Sequence, residues 1–208
     1  MRPYRPDPYQ PGEPGPGVPG LPGLPESGPS WLGERLFDQR IVLLRGHLTS
    51  AVASQTAGAL WTLGAVGPDP VQLHMSAPVG ELAAAFAIVD AIEALQAPVH
   101  VVVTSEVGGA AVAVLTAAEK RLSFRHARIR LNEPRVATVA GTADQVTAAA
   151  GQYLRELEEM AVRLAAVTGQ PRSRVEDDLS AGRMLTAEQA REYGLVDEII
   201  GQRPEDGT

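Results

Sequence analysis

With 208 residues, of which the first thirty or so are unlike the rest, the chain has room for one domain with a sizeable core. A formal charge of −7 and a pI near 5.1 leave no dense Lys/Arg face to neutralise phosphates, which argues against nucleic acid as a partner. The absence of cysteine removes disulfides, thiolate catalysis and Cys-ligated zinc; no apolar run reaches the ~18 residues of a membrane span, and the amino terminus lacks the order of a secretory signal, so a cytoplasmic protein without membrane contact is expected.

Met1 to Pro29 holds ten of the seventeen prolines and six glycines, too little apolar matter to bury a core. Glycine at 17, 20 and 23 follows a three-residue period too briefly for a collagen helix, so residues 1–30 read as a disordered tail, with a docking arm as the alternative. The composition changes at Ser30-Trp31-Leu32, and the domain is predicted over 31–201, with 202–208 a flexible end.

Arg40 to Arg45 reads as the first core strand and Leu48 to Leu63 as a helix capped by Thr49 or Ser50. Pro70 to Met75 alternates as a second strand, and Gly80 to Leu95 is apolar enough to be a buried helix. The unit repeats from Pro98 to Ala118: a β-branched run, Val99 to Val103, then a turn from Thr104 to Gly109, then a small-residue helix from Ala110. That turn lies where free backbone N–H groups favour negative charge, but no hydroxyl stands at its apex, which reads Glu106-Val107-Gly108-Gly109-Ala110.

Two short strands, Arg121 to Phe124 and Arg128 to Leu131, precede a long helix that starts near Thr142, in capping-box spacing to Gln145, and runs to about Val167 before Gly169. Its stripe of Val146, Ala150, Tyr153, Leu157, Met160 or Ala161, and Leu164 is a lengthwise packing seam, internal or between subunits. Pro171 opens another helix, with capping boxes predicted at Ser173/Glu176 and Thr186/Gln189, and Gly194 to Ile200 closes the domain as a strand. Strand and helix alternating in this way make an α/β domain with mostly parallel pairing.

Five pieces in order then carry a resemblance: Ala77-Pro78-Val79-Gly80, the turn at 108–110, Asn132-Glu133-Pro134, Thr168-Gly169-Gln170-Pro171, and Leu185-Thr186-Ala187-Glu188 through Tyr193-Gly194-Leu195-Val196-Asp197. From Trp31 to Ile200 the chain resembles the Clp protease proteolytic subunit, the ClpP family of serine peptidases. The resemblance implies a crotonase-like spiral of ββα units with a long handle helix, seven-membered rings of ClpP-family subunits, a Clp-type AAA+ ATPase as partner and unfolded polypeptide as substrate. Carried over residue by residue, the family's nucleophilic serine lands on Gly109, its histidine on Asn132 and its aspartate on Asp178; the oxyanion-hole positions become Val79 and Ala110. The resemblance thus implies a subunit that has lost its nucleophile and its base, with a structural or regulatory role in the ring.

Two other readings stay open. A displaced pair, Ser105 with His126, would make the chain an active endopeptidase. The crotonase kinship would allow a thioester oxyanion site, although nothing marks a CoA pocket and a β-branched Val79 suits it poorly if that backbone must take positive φ. His47, His74, His100 and His126 fall singly, without metal-ligand spacing, so neither metal nor cofactor is expected.

Overall fold

A computed structural model describes residues 30–134 and 141–201. The tail expected over 1–30 lies outside these, apart from Ser30 where α1 (Ser30–Asp38) begins, and so does the end at 202–208. The chain divides into two units, 1–35 and 36–208, and the second carries the fold.

In that unit β1 (Ile41–Leu48) runs three residues beyond the predicted strand and hands over to α2 (Ser50–Val66), where the Thr49 hydroxyl accepts the Val52 N–H as a cap. The long β2 (Val71–Gly80) continues through Ala77-Pro78-Val79 before α3 (Leu82–Glu93), so the predicted helix start at Gly80 moves two residues on. Next come β3 (Val99–Val103), β4 (Glu106–Gly108) and a 3-10 helix over Gly109–Ala117. Then β5 (Lys120–Phe124), β6 (Arg128–Leu131), α4 (Ala143–Thr168), α5 (Arg172–Ala181), β7 (Arg183–Thr186), α6 (Ala187–Tyr193) and β8 (Glu198–Ile200) complete the described chain.

A parallel sheet in the order β1-β2-β3-β5-β8 and a second sheet in the order β4-β6-β7 are formed, with β6 and β7 antiparallel. After β3 the backbone steps out of the first sheet at Thr104, whose N–H and hydroxyl both donate to the Met75 carbonyl. It lays β4 in the second sheet, winds the 3-10 helix and returns as β5; β5, β6 and α4 repeat the step. This is the α/β arrangement of ββα units expected from the resemblance, with Leu44, Leu73, Met75, Val101, Ile88 and Leu115 in its core.

Four local expectations change. The span read as a turn contains a strand, because Glu106–Gly108 pairs in parallel with Arg128–Arg130. The helix after it starts at Gly109, one residue before the prediction, and is 3-10 in form, buried from Gly109 to Leu115. No capping box forms at Ser173, since α5 starts at Arg172 with Pro171 as its cap residue, and Glu176 takes the Arg172 guanidinium instead. The closing strand shrinks to Glu198–Ile200, as Gly194 caps α6 in a left-handed conformation and Leu195 and Val196 are buried without pairing.

The boxes at Thr142/Gln145 and Thr186/Gln189 both form. Along α4 the stripe divides: Met160, Ala161 and Leu164 are buried, Tyr153 and Leu157 are partly covered, and Val146 and Ala150 face solvent. Among the described residues no helix is long and apolar enough to cross a membrane.

Candidate functional site

Where the two sheets meet, β2, β4 and β6 enclose a cleft of about 270 Å³ lined by Pro78, Val79, Gly80, Glu106, Gly109, Arg130 and Asn132. Gly108 in extended backbone sits so close to β2 that a Cβ there would lie 2.7 Å from the Pro78 carbonyl oxygen, and glycine is what lets the strands approach. Gly109 then turns the chain with φ +54, a left-handed conformation that side chains other than glycine adopt at a cost of about 1–2 kcal/mol. Space is not the constraint at Gly109: the nearest atom to a Cβ would be Asn132 Nδ2, at 3.5 Å.

Asn132, just past the end of β6, faces that turn. Its Oδ1 accepts the Gly109 N–H at 3.0 Å and its Nδ2 donates to the Glu133 carbonyl at 3.0 Å, so the carboxamide is held at both ends. The backbone behind it is held as well. Glu133 N–H donates to the Leu179 carbonyl of α5 at 3.1 Å, and the Tyr153 hydroxyl of α4 donates to the Pro134 carbonyl at 2.8 Å. Burial, and then the nearby Glu133 carboxylate, push the Tyr153 phenol above its ordinary pKa, keeping it a donor. Glu106 and Arg130, two registers apart across β4 and β6, form an ion pair at 3.3 Å on the cleft wall.

Asp178 does not join this pair. Its carboxylate accepts Arg183 Nη1 at 3.1 Å on both oxygens and the Tyr193 hydroxyl at 2.9 Å, with Arg174 Nε at 4.0 Å. Sequence reasoning missed this clamp; the five-residue spacing from Asp178 to Arg183 crosses a helix end, and Tyr193 comes from another helix.

Of the oxyanion-hole positions, Ala110 is buried in the first turn of the 3-10 helix, and Val79 pairs with His47 inside β2. Val79 has no positive φ, so the objection to a β-branched residue there falls away. Ser105 and His126 are both exposed, and Ser105 does not line the cleft; among the described residues no serine hydroxyl bonds a histidine. His74 lies half-buried in β2 against Gln72 Oε1, 2.9 Å away, its pKa lowered by burial and by Arg45. Among the described residues no cluster of His, Asp and Glu forms a metal site.

The family model described as Clp protease matches residues 30–203. The chain belongs to the Clp protease family. It is similar to the ATP-dependent Clp protease proteolytic subunit 2 of Streptomyces coelicolor, at 28% identity over 84% of this chain and 81% of the relative. Proteolytic subunit 3 of Rhodococcus jostii is 31% identical over 81% of this chain and 85% of its own length. Proteolytic subunit 1 of Bifidobacterium longum is 30% identical, over 81% of this chain and 74% of its own. The parallel sheet with its stepping second sheet agrees with the Clp fold.

Proposed function

We propose that this Clp-family chain is a structural or regulatory subunit of an ATP-dependent Clp protease complex that does not itself cut peptide bonds. The observation that carries the reading is the contact between Gly109 N–H and Asn132 Oδ1 at the cleft. Gly109 occupies the strained strand-to-helix turn where a hydrolase of this kind would present its hydroxyl, and it has no side chain. Asn132 faces this turn through the Gly109 backbone N–H, and a carboxamide does not take a proton near neutral pH.

Magnitudes support the reading. In a serine protease the loss of the serine or the histidine lowers kcat about a millionfold, and because the groups act as a unit the loss of both costs no more. What backbone donors retain, roughly 10³–10⁴ over water, is too slow to process polypeptide. The other side chains lining the cleft offer no substitute: Pro78 and Val79 carry no nucleophile, and Glu106 is neutralised by Arg130. Association with other Clp proteolytic subunits in seven-membered rings, docking of a Clp-type AAA+ ATPase and a cytoplasmic location follow from the family reading.

The test is a fluorophosphonate probe applied to the isolated full-length chain. No covalent labelling is expected at any serine; stoichiometric labelling would overturn the reading and favour a displaced nucleophile such as Ser105.

A further inference from the structure

The net charge of −7 is not spread evenly, and one stretch runs against it. Lys120 to Arg130 holds five of the eighteen Lys and Arg residues, one His and no Asp or Glu. Three of the five are paired: Lys120 with Glu198 at 2.7 Å, Arg121 with Asp197, and Arg130 with Glu106 at 3.3 Å. Among the described residues Arg125 and Arg128 form no ion pair.

The second sheet puts these cations on one side. Along β6 burial alternates, with Ile129 and Leu131 in the core and Arg128 and Arg130 exposed. Across the register Glu106 of β4 stands beside Arg128, and Met184 and Thr186 of β7 stand beside Arg130 and Arg128. The open face therefore carries two guanidinium groups against one carboxylate, and that carboxylate is engaged by Arg130. Arg130 lines the cleft. Arg128 lies two residues back on the same face, and Arg125 and His126 are exposed on the turn before it. That turn is held in place: the Ala127 N–H donates to the Phe124 carbonyl at 3.0 Å, and the Arg128 N–H to the Ser105 carbonyl at 2.8 Å. Arg128 Nη1 donates to the Ala127 carbonyl at 3.2 Å, which fixes its guanidinium against the turn.

We propose that Arg130, Arg128 and the turn at Arg125 and His126 form a cationic rail that holds an acidic, extended peptide at the mouth of the cleft. The spacing suits an extended chain. Arg128 and Arg130 stand about 6.6 Å apart along their strand, the step that also separates alternate side chains of a second extended peptide, so carboxylates at every other position meet them in turn. Single-stranded nucleic acid has the charge, but beyond this rail the chain is acidic and repels a polyanion. The inference rests on the reading of the cleft as the peptide site of a subunit that does not cut, and its test needs no catalysis.

The test is fluorescence anisotropy of three labelled probes titrated with the full chain at low salt: a Glu-Ala repeat peptide, a Gln-Ala repeat of the same length and a thymidine oligonucleotide. The Glu-Ala peptide is expected to bind at least about tenfold more tightly than the Gln-Ala peptide, and to lose that advantage at high salt. Arg128→Gln should weaken its binding about threefold, and Glu106→Gln, which frees the Arg130 guanidinium, should tighten it about threefold. Arg155→Gln, which removes an exposed arginine of α4, should leave it unchanged. Equal binding of the two peptides, tighter binding of the oligonucleotide, no gain from Glu106→Gln, or equal losses from Arg128→Gln and Arg155→Gln would overturn the proposal. The intact mass of the Glu-Ala peptide after incubation is read separately: cleavage counts against the non-cutting reading, and the rail is still decided by the anisotropy.

Discussion

Gly109 donates its backbone N–H to the side-chain oxygen of Asn132, across 3.0 Å, and this bond joins the 3-10 helix to the end of β6. On the proposed reading these are the nucleophile and base positions of a peptidase, and the bond makes them structural partners. Asn132→Ala removes the acceptor and leaves the Gly109 N–H in a part-buried place, at an expected cost of about 1–3 kcal/mol in urea unfolding. A variant as stable as the parent would mean that water replaces the carboxamide without loss.

The two adjacent glycines separate conformational from steric strain. Gly109→Ala meets no atom closer than 3.5 Å and carries only the left-handed penalty, about 1–2 kcal/mol. Gly108→Ala has extended backbone but places a methyl 2.7 Å from the Pro78 carbonyl oxygen and 3.3 Å from Arg130 Cβ, so the strands must part, at about 2–3 kcal/mol. Unfolding midpoints of the two variants, side by side, check the order.

Much of this arrangement could be read before the fold was seen. Val99–Val103 declares itself because a parallel strand buried on both faces needs a β-branched apolar run, and the edge strand in Arg40–Arg45 declares itself through Ile41 to Leu44. Thr142 and Thr186 declare their helices because a capping box is a local device complete within four residues. The strand at Glu106–Gly108 was hidden, being three residues long and dependent on a partner some twenty residues on. A 3-10 helix could not be told from an α-helix, since a run buried on every side carries no periodicity. The engagement of Asp178 with Tyr193 is tertiary, and spacing says nothing of it.

At the acid end, stability will depend on Asp197. Its carboxylate accepts the Arg121 backbone N–H at 2.7 Å and Arg121 Nε at 3.2 Å; burial alone would raise its pKa, but these bonds and the guanidinium charge outweigh it and hold the carboxyl below the ordinary 3.8. A carboxyl with a lower pKa folded than unfolded gives its full contribution above the unfolded value, and loses it as pH falls through the folded one. Asp197→Asn should therefore cost stability at pH 7 and show a shallower loss below about pH 4 in urea midpoints measured against pH.

The alkaline end has the opposite sign. Burial, followed by the bond to Asp178, pushes the Tyr193 phenol up from 10.0 to about 12. The neutral phenol is favoured by folding, so its contribution is complete below about pH 10 and drains as pH rises through the folded value near 12. Tyr193→Phe should flatten that part of the stability profile, and ultraviolet titration should show one fewer late-ionising phenol.

A cap prediction is simpler. Thr186→Ala strips the box from a helix of seven residues, whereas Thr142→Ala strips one from a helix of twenty-six that packs along its far half. Each should cost about 1 kcal/mol. Amide hydrogen exchange should show fraying over the first turn of α4, from Ala143, in the second variant, without loss of protection in the packed half.

The uneven burial along α4 also sets a gradient in time. Its carboxyl-terminal half is pinned by Met160, Ala161 and Leu164, while Val146, Ala150 and Leu154 lie uncovered before it. In an isolated subunit, amide protons up to about residue 155 should swap for solvent deuterons well ahead of those beyond it, because local opening there exposes little new apolar surface. A neighbour that lies along this arm would slow its exchange selectively, and deuterium uptake followed peptide by peptide would register that docking without any enzymatic readout.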